Sequence, residues 1–423
     1  MIKVGEDLKR HGKTVRDFLL AFLKWVFVAA LCGAVGGFIG MAFDKSVNYV
    51  SGLFSEYSWL LFLLPVGGVV IVLLYRLFKM DESVGTNNII TSVRTGNGVP
   101  IVLAPLIFIS TVITHLCGGS AGREGAALQL GGTIGAKVGT RLKMKPKDEN
   151  IAIMCGMSAV FSALFGTPVT ASVLAMEVTS VGVMYYAGFL PCVFSSIIAV
   201  KISSLFGVEP FALKIMSIPE FDFFIAAKIV LIAAVCAGVS ILFCFLMKTA
   251  HRYSQIYLKN QFVRAIVGGC VIIMLTLILN SRDYNGTGIG VIERAVNSGQ
   301  VKPEAFALKL IFTVVTMSCG YKGGEIIPTF FIGATLGGLI GGIIGLDVSL
   351  AAAIGLISLF CGVINCPIAS LILSVEVFGC QGILYFVIAC AVSYMLSGYY
   401  GLYSSQKIMY SKLRAELINI NTK

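Results

Sequence analysis

The sequence predicts an all-α membrane protein built from two inverted repeats of many tilted and broken transmembrane helices, and three observations carry that expectation. The first is composition: of 423 residues 57% are hydrophobic and 13% charged, and the mean hydropathy is +0.91, values that a water-soluble globular chain does not reach. The second is the way the apolar sequence is divided. Runs long enough to cross roughly 30 Å of hydrocarbon lie at 22–43, 59–78, 224–247 and 265–279, whereas 103–206 and 308–396 are apolar but cut by Gly, Pro and single carboxylates. Such cuts suit helices that stop partway through a bilayer, because non-helical backbone is tolerated at that depth only inside protein or against water. The third is an internal duplication with a period of about 200 residues. Gly85-Thr-Asn-Asn-Ile89 meets Gly286-Thr-Gly-Ile-Gly290, AALQLGGTIG at 126–135 meets PTFFIGATLG at 328–337, and the stretch from Pro168 to Glu177-Val178 meets that from Pro367 to Glu376-Val377.

In chain order, residues 1–24 carry Lys3, Lys9, Arg10, Lys13, Arg16 and Lys24 on an amphipathic pattern, so they read as a cytoplasmic surface helix and not as a cleavable signal peptide. Residues 25–207 form the first membrane repeat. The segment 208–222, with Glu209, Glu220 and Asp222, reads as an external linker, and 223–423 as the second repeat with a short cytoplasmic tail. The net charge of +11 is a positive-inside signal and not a nucleic-acid footprint, because the basic residues sit in connecting segments and at the ends. Lys248, Arg252, Lys259 and Arg264, the cluster at 137–147, and Lys407, Lys412, Arg414 and Lys423 go to the cytoplasm. With the N-terminus inside and the linker outside, the second half starts from the opposite face, which makes the repeats inverted.

The twelve cysteines, among them Cys117, Cys155, Cys236, Cys270 and Cys366, lack metal-ligand spacing and read as small buried hydrophobes. His11, His115 and His251 are too dispersed for a metal cluster, and His115 reads as a satisfied buried side chain. No metal and no cofactor is expected.

The candidate site follows from the interrupted helices. Gly118-Gly-Ser-Ala-Gly-Arg123-Glu124-Gly125 sets an Arg-Glu pair among glycines inside apolar sequence, and 126–138 reads as a helix with Glu124 at its N-terminal end. A helix N-terminus presents free N–H groups and partial positive charge, hence an anion site. A carboxylate at membrane depth is costly and marks function. In inverted-repeat transporters such N-termini converge near the midplane. The three candidate loops here are 85–90, 122–126 and Gly323-Gly-Glu325-Ile326-Ile327-Pro328. For the glycines alone, close helix packing is the commoner explanation. Glu177 and Glu376 read as buried carboxylates satisfied by backbone near helix ends. Glu325 reads as functional alongside Glu124, its alternative being a buried ion pair with Lys322.

These motifs, together with Leu402-Tyr403-Ser404, resemble those of the CLC anion channels and transporters, in family order and over nearly the whole chain. The resemblance implies that Glu124 is the gating glutamate, that Tyr403 contacts the central anion, and that the protein is a homodimer with one pore per subunit. It also implies that Gly85, Thr86, Asn87, Asn88, Arg123, Gly125, Ile326 and Ile327 surround the anion. Three departures from the chloride members resemble the fluoride/proton antiporter branch: Thr86-Asn-Asn88 in place of Ser-Gly-Ile, Val178 where an inward proton-relay glutamate would follow Glu177, and Glu325 itself. That branch carries Thr two residues after the glutamate, where this chain has Ile327. Fluoride holds its water tightly, so Thr86, Asn87 and Asn88 would supply donors to replace it, and Glu325 would hold a proton after Glu124.

The function expected is therefore fluoride export by fluoride/proton antiport across the cell (inner) membrane, with fluoride, protons and the lipid bilayer as partners and both termini cytoplasmic. The nearer rival is a chloride channel or chloride/proton exchanger of the same fold. An intramembrane hydrolase would need a nucleophile–base pair or paired aspartates, which the apolar spans do not offer, so no enzyme is expected. The tail from Ser404 is expected to be too short for paired cytosolic regulatory domains.

Overall fold

The computed structural model describes residues 2–81, 84–96 and 98–423, with the side chains of residues 2–13 outside the described set. The side chains of Lys3, Lys9, Arg10, His11 and Lys13 therefore lie outside it. Sixteen helices of the described residues fall into two groups of eight. The first comprises α1 (Ile2–Glu56), α2 (Leu64–Leu77), α3 (Thr86–Thr95), α4 (Leu103–Leu116), α5 (Glu124–Arg141), α6 (Pro146–Phe165), α7 (Pro168–Glu177) and α8 (Phe189–Leu205). After the linker come α9 (Phe223–Tyr257), α10 (Gln261–Leu279), α11 (Ile289–Ser298), α12 (Ala305–Ser318), α13 (Ile326–Ile343), α14 (Val348–Ile364), α15 (Pro367–Phe378) and α16 (Ile383–Leu396). The order repeats, as the duplication in the sequence requires, and lengths are closely matched from α3 and α11 onward.

Local sequence sets the ends. Proline opens α6, α7 and α15, where its missing N–H costs no helical bond. Asp222, Asn260 and Asp347 accept hydrogen bonds from the first-turn N–H groups of α9, α10 and α14, the usual role of an N-cap side chain. Seven helices are long and apolar enough to cross a membrane among the described residues, including the four that continuous apolar runs predict. The other three, α6, the helix from Tyr186 to Leu205 and α13, lie in the interrupted regions. Their glycines and polar residues lower the local hydropathy without ending the helix.

Bonds that read the same when the repeats are exchanged tie the two halves together. Gly122 N donates to Gly324 O and Gly324 N to Gly122 O, both at 2.6 Å, a two-residue antiparallel bridge between the glycine loops. Ser120 N donates to Thr316 Oγ1 and Lys322 N to Thr114 Oγ1. The Glu177 carboxylate, at the end of α7, accepts from Ile368 N at 3.2 Å and Ala369 N at 2.8 Å at the start of α15. Glu376, on α15, accepts from Val169 N at 2.9 Å and Thr170 N at 2.8 Å at the start of α7. Each carboxylate thus satisfies orphan donors of the other repeat's helix; Glu177 is buried as the sequence suggests, whereas Glu376 is only half-buried.

Close packing within each repeat rests on glycine facing glycine. A β-carbon added at Gly156 would fall 2.0 Å from Gly131 O, and one at Gly355 would fall 2.2 Å from Gly333 O. Backbones that touch leave no room to yield, so Gly156→Ala should force α5 and α6 apart. An overpacking cost of about 1–3 kcal/mol or more is expected, measured as loss of thermal stability of the purified protein. A variant as stable as the parent would show that α5 can shift freely.

Three features differ from the sequence reading. Residues 2–24 are not a separate surface helix but run without a break into α1, because no Pro or helix-stopping turn separates them from the first apolar run. Of the cysteines, Cys270 and Cys380 are exposed while the other ten are buried; Cys270 sits on an outward face of α10. The chain after α16 is not helical but forms strands. Strand β1 (Ser180–Val181) pairs in parallel with β2 (Lys407–Tyr410), which pairs antiparallel with β3 (Leu417–Asn421). Alternation over four or five residues is too short a signal to read against a strongly helical background.

Candidate functional site

Three glycine loops deliver three helix N-termini to the middle of the molecule, those of α3, α5 and α13. Those of α3 and α13 border a cavity of about 250 Å³ whose lining includes Gly85, Thr86, Asn87, Gly323, Glu325 and Tyr403, and α5 reaches it through Gln129. Lys248, His251 and Lys322 line it as well. Sequence-distant residues thus meet in one place. Asn88, Arg123, Glu124, Gly125, Ile326 and Ile327 do not line this cavity. Arg123, Glu124, Gly125, Ile326 and Ile327 lie around the Gly122–Gly324 bridge, whereas Asn88 is exposed on α3 and lines a separate surface pocket with Thr91, Ser92 and Ser405.

Glu124 occupies the first helical position of α5 and is 1% exposed. Its Oε2 accepts from Arg123 N at 3.0 Å, and the Ile327 N–H of the other repeat faces the same carboxylate. One carboxylate therefore sits at the N-termini of α5 and α13 together, where free donors favour negative charge. Arg123 does not turn its fork to it. Its Nη1 bonds Asp44 Oδ1 at 2.8 Å and Asn48 Oδ1 at 2.7 Å on α1, leaving Nε 3.7 Å from Glu124 Oε1. The guanidinium is matched by Asp44, and Glu124 is free to leave it.

Glu325 is the N-cap residue of α13. Its Oε2 is buried with no hydrogen-bond partner, as is the Tyr403 hydroxyl, and both carboxylates lie within charge-interaction range of that hydroxyl. A β-carbon at Gly125 would come within 2.8 Å of Glu325 Oε2, so the glycine of one repeat makes room for the carboxylate of the other. The expected alternative, an ion pair to Lys322, does not form among the described residues: the Lys322 ammonium lies 4.7 Å over the Tyr75 ring.

The α3 loop is more internally bonded than its sequence suggests. Asn88 Oδ1 accepts from Gly85 N at 3.1 Å and caps the helix, while Asn87 Oδ1 accepts from Ser405 N at 3.0 Å and ties the loop to the Tyr403 segment. With both carbonyls used, the amide N–H groups are the donors left to each side chain. Thr86 Oγ1 accepts from Gln129 Nε2 at 3.1 Å. Gln129, one and a half turns beyond Glu124 on α5, lines the cavity, and its Oε1 is buried without a partner; sequence reading missed it, although a lone amide in a glycine-rich apolar helix was a visible signal. Thr422 was also missed: its Oγ1 donates to Tyr403 O at 2.6 Å and braces that segment from below. Ile327 is buried against Gly122.

His115 is more complicated than its sequence setting suggests. It is buried: Nδ1 faces Thr111 O at 2.8 Å, the Ala121 carbonyl also faces the ring, and Nε2 makes no hydrogen bond of regular geometry. Among the described residues no group of three metal-ligating side chains is found.

A fold of paired, inverted helical repeats around a buried anion-type site with two carboxylates defines a membrane transport protein for anions. The chain belongs to the CLC family: the family model for voltage gated chloride channels matches residues 67–398. A chloride/fluoride channel protein of Pseudomonas syringae pv. tomato is 30% identical over 415 residues, covering 96% of this chain and 92% of the relative. The crystal structure of a CLC-type fluoride/proton antiporter superposes with a TM-score of 0.87 at 30% identity, over 91% of this chain and 98% of that one. A slow cyanobacterial Cl-/H+ antiporter shares the fold, with a TM-score of 0.75 at 17% identity over 88% and 94% of the two chains. The family consists of channels and transporters, and the protein is not an enzyme.

Proposed function

We propose that this chain exports fluoride in exchange for protons, a fluoride-selective case of CLC-type anion/proton antiport. The observation that carries the reading is the second carboxylate. Glu325 lines the same cavity as Tyr403 and has a buried, unpartnered oxygen, in a chain where Glu177 is spent capping α15 and Val178 follows it. A proton leaving Glu124 then has one neighbouring carboxylate to go to. The fluoride/proton antiporter and the chloride/fluoride channel protein, each 30% identical to this chain, support the same choice.

In this reading ionised Glu124 occupies an anion's place at the two N-termini, and protonation releases the place to fluoride. Competition for one site couples the two ions. Thr86, Asn87 and Asn88 set the preference for fluoride, with Arg123, Gly125, Ile326 and Ile327 walling the passage and Tyr403 contacting the anion. Lys248 and Lys322 at the cavity support a cytoplasmic mouth by the positive-inside rule, and in this reading both termini lie on that side of the cell (inner) membrane. The protein works as a homodimer with one pore per subunit.

Selectivity tests the reading. In proteoliposomes the fluoride gradient should drive proton movement and an equal chloride gradient should drive little. The double variant Thr86→Ser, Asn87→Gly removes a donor and the tie to Ser405, and should lower the fluoride-to-chloride flux ratio about tenfold, the worth of one hydrogen bond. Equal proton movement with chloride in the parent protein would make it a chloride/proton exchanger, and an unchanged ratio in the variant would place selectivity elsewhere.

A further inference from the structure

The relation that pairs the repeats also pairs their cavities. The cavity described above is lined by the loop before α3 and, from α9, by Lys248 and His251. A second cavity, of about 400 Å³, is lined by the loop before α11 and, from α1, by Ser51 and Phe54, so the same two elements of each repeat, loop and long helix, build both cavities. Inverted repeats put equivalent surfaces on opposite faces of the membrane. None of the residues assigned to the anion site lines this second cavity.

His115, on α4, forms part of its wall, is 0% exposed and makes no hydrogen bond of regular geometry at Nε2. A carbonyl only accepts, so Nδ1, which faces Thr111 O at 2.8 Å, carries the proton of the neutral ring and Nε2 presents a lone pair. The charged groups packed about the ring are both cations, Arg123 at the N-cap of α5 and Lys309 on α12; the Ala121 carbonyl also faces it. Lys309 is fully buried and donates to Tyr284 O at 3.1 Å and Gly286 O at 2.7 Å, which plants a positive charge under the loop itself. At the mouth, Arg282 keeps a buried Nε without a partner. The one carboxylate at the mouth, Asp283, is held by Arg294 at 3.1 Å and Lys302 at 2.8 Å. Ile289 and Gly290, the first residues of α11, also line the cavity, so the donors of a ten-residue helix open into it.

We infer that this cavity is a second halide site, on the face opposite the Thr86–Tyr403 cavity, and that it is occupied together with a proton on His115. The neutral ring turns a lone pair on an anion and repels it. The imidazolium presents an N–H donor instead, and a bound anion offsets its repulsion by Arg123 and Lys309. Halide and proton therefore favour each other here, whereas at Glu124 they compete. The site rests on geometry and on any halide, so it stands apart from the fluoride reading.

Bromide is the probe, located by anomalous scattering in crystals of the full chain and titrated at about pH 5 and about pH 8, on either side of an ordinary imidazole. Bromide should occupy this cavity with an affinity about tenfold higher at the lower pH. In His115→Gln the affinity should no longer depend on pH. Arg294→Gln should weaken binding at both pH values while keeping the dependence. Absence of bromide from the cavity at both pH values, or a parent affinity that is the same at both, overturns the inference, as does a His115→Gln protein with the parent's pH dependence. Should His115→Gln fail to fold, the parent and Arg294→Gln series decide between the same outcomes.

Discussion

Glu124→Gln should abolish proton movement driven by a fluoride gradient while anion flux continues. The amide keeps the size of the side chain and an oxygen for Arg123 N, which the carboxylate accepts at 3.0 Å, but it carries neither the negative charge that competes with an anion nor a proton to release. The fold should tolerate the change. Removing one partner of a buried ion pair ordinarily leaves a costly charge behind, but Arg123 is already matched by Asp44 at 2.8 Å and Asn48 at 2.7 Å. Proton uptake and anion efflux recorded on the same proteoliposomes check this. Proton pumping that persists at the parent rate would remove Glu124 from the coupling step, and loss of both fluxes with an intact fold would make it an anion-binding group alone.

How much of this was legible in the sequence depends on whether the signal was local or long-range. The duplication could be read because it leaves the same letters twice, and from it followed the paired glycine loops and the helix N-termini that meet at Glu124 and Glu325. Glu177 and Glu376 could be read as capping carboxylates because each precedes the end of a short helix, although which N–H groups they cap, those of the other repeat, is a tertiary fact. Three further contacts join residues far apart in sequence and leave no periodic trace: Arg123 with Asp44, Asn87 Oδ1 with Ser405 N, and Thr422 Oγ1 with Tyr403 O. The asparagines show the limit of counting donors. Composition promised two amides to a halide, and the structure spends both carbonyl ends on backbone N–H groups first, which fixes where the remaining donors stand. His115 failed in the other direction: an apolar helix suggested a satisfied ring, and only the packing of α4 against its neighbours leaves Nε2 without a hydrogen bond of regular geometry.

Glu325→Gln separates a proton relay from a structural charge, and its effect should match that of the gate. Glu325 Oε2 has no hydrogen bond to lose, and the Lys322 ammonium lies over the Tyr75 ring at 4.7 Å, with no ion pair to Glu325. An uncharged amide of the same shape should therefore leave thermal stability close to the parent's, whereas a buried ion pair broken at one end costs about 3–5 kcal/mol. If protons pass from Glu124 to Glu325, the variant should remain folded yet lose proton-coupled fluoride transport, because Val178 offers no second carboxylate beyond Glu177 and Glu177 is bound to Ile368 N and Ala369 N. Stability and both fluxes have to be taken from one preparation, since each alternative moves a different pair of readouts. A stable variant with parental coupled transport would end the relay proposal, a destabilised one would restore the ion pair, and reduced fluoride flux with the proton-to-fluoride ratio unchanged would make Glu325 a group that shapes the anion's surroundings without carrying its proton.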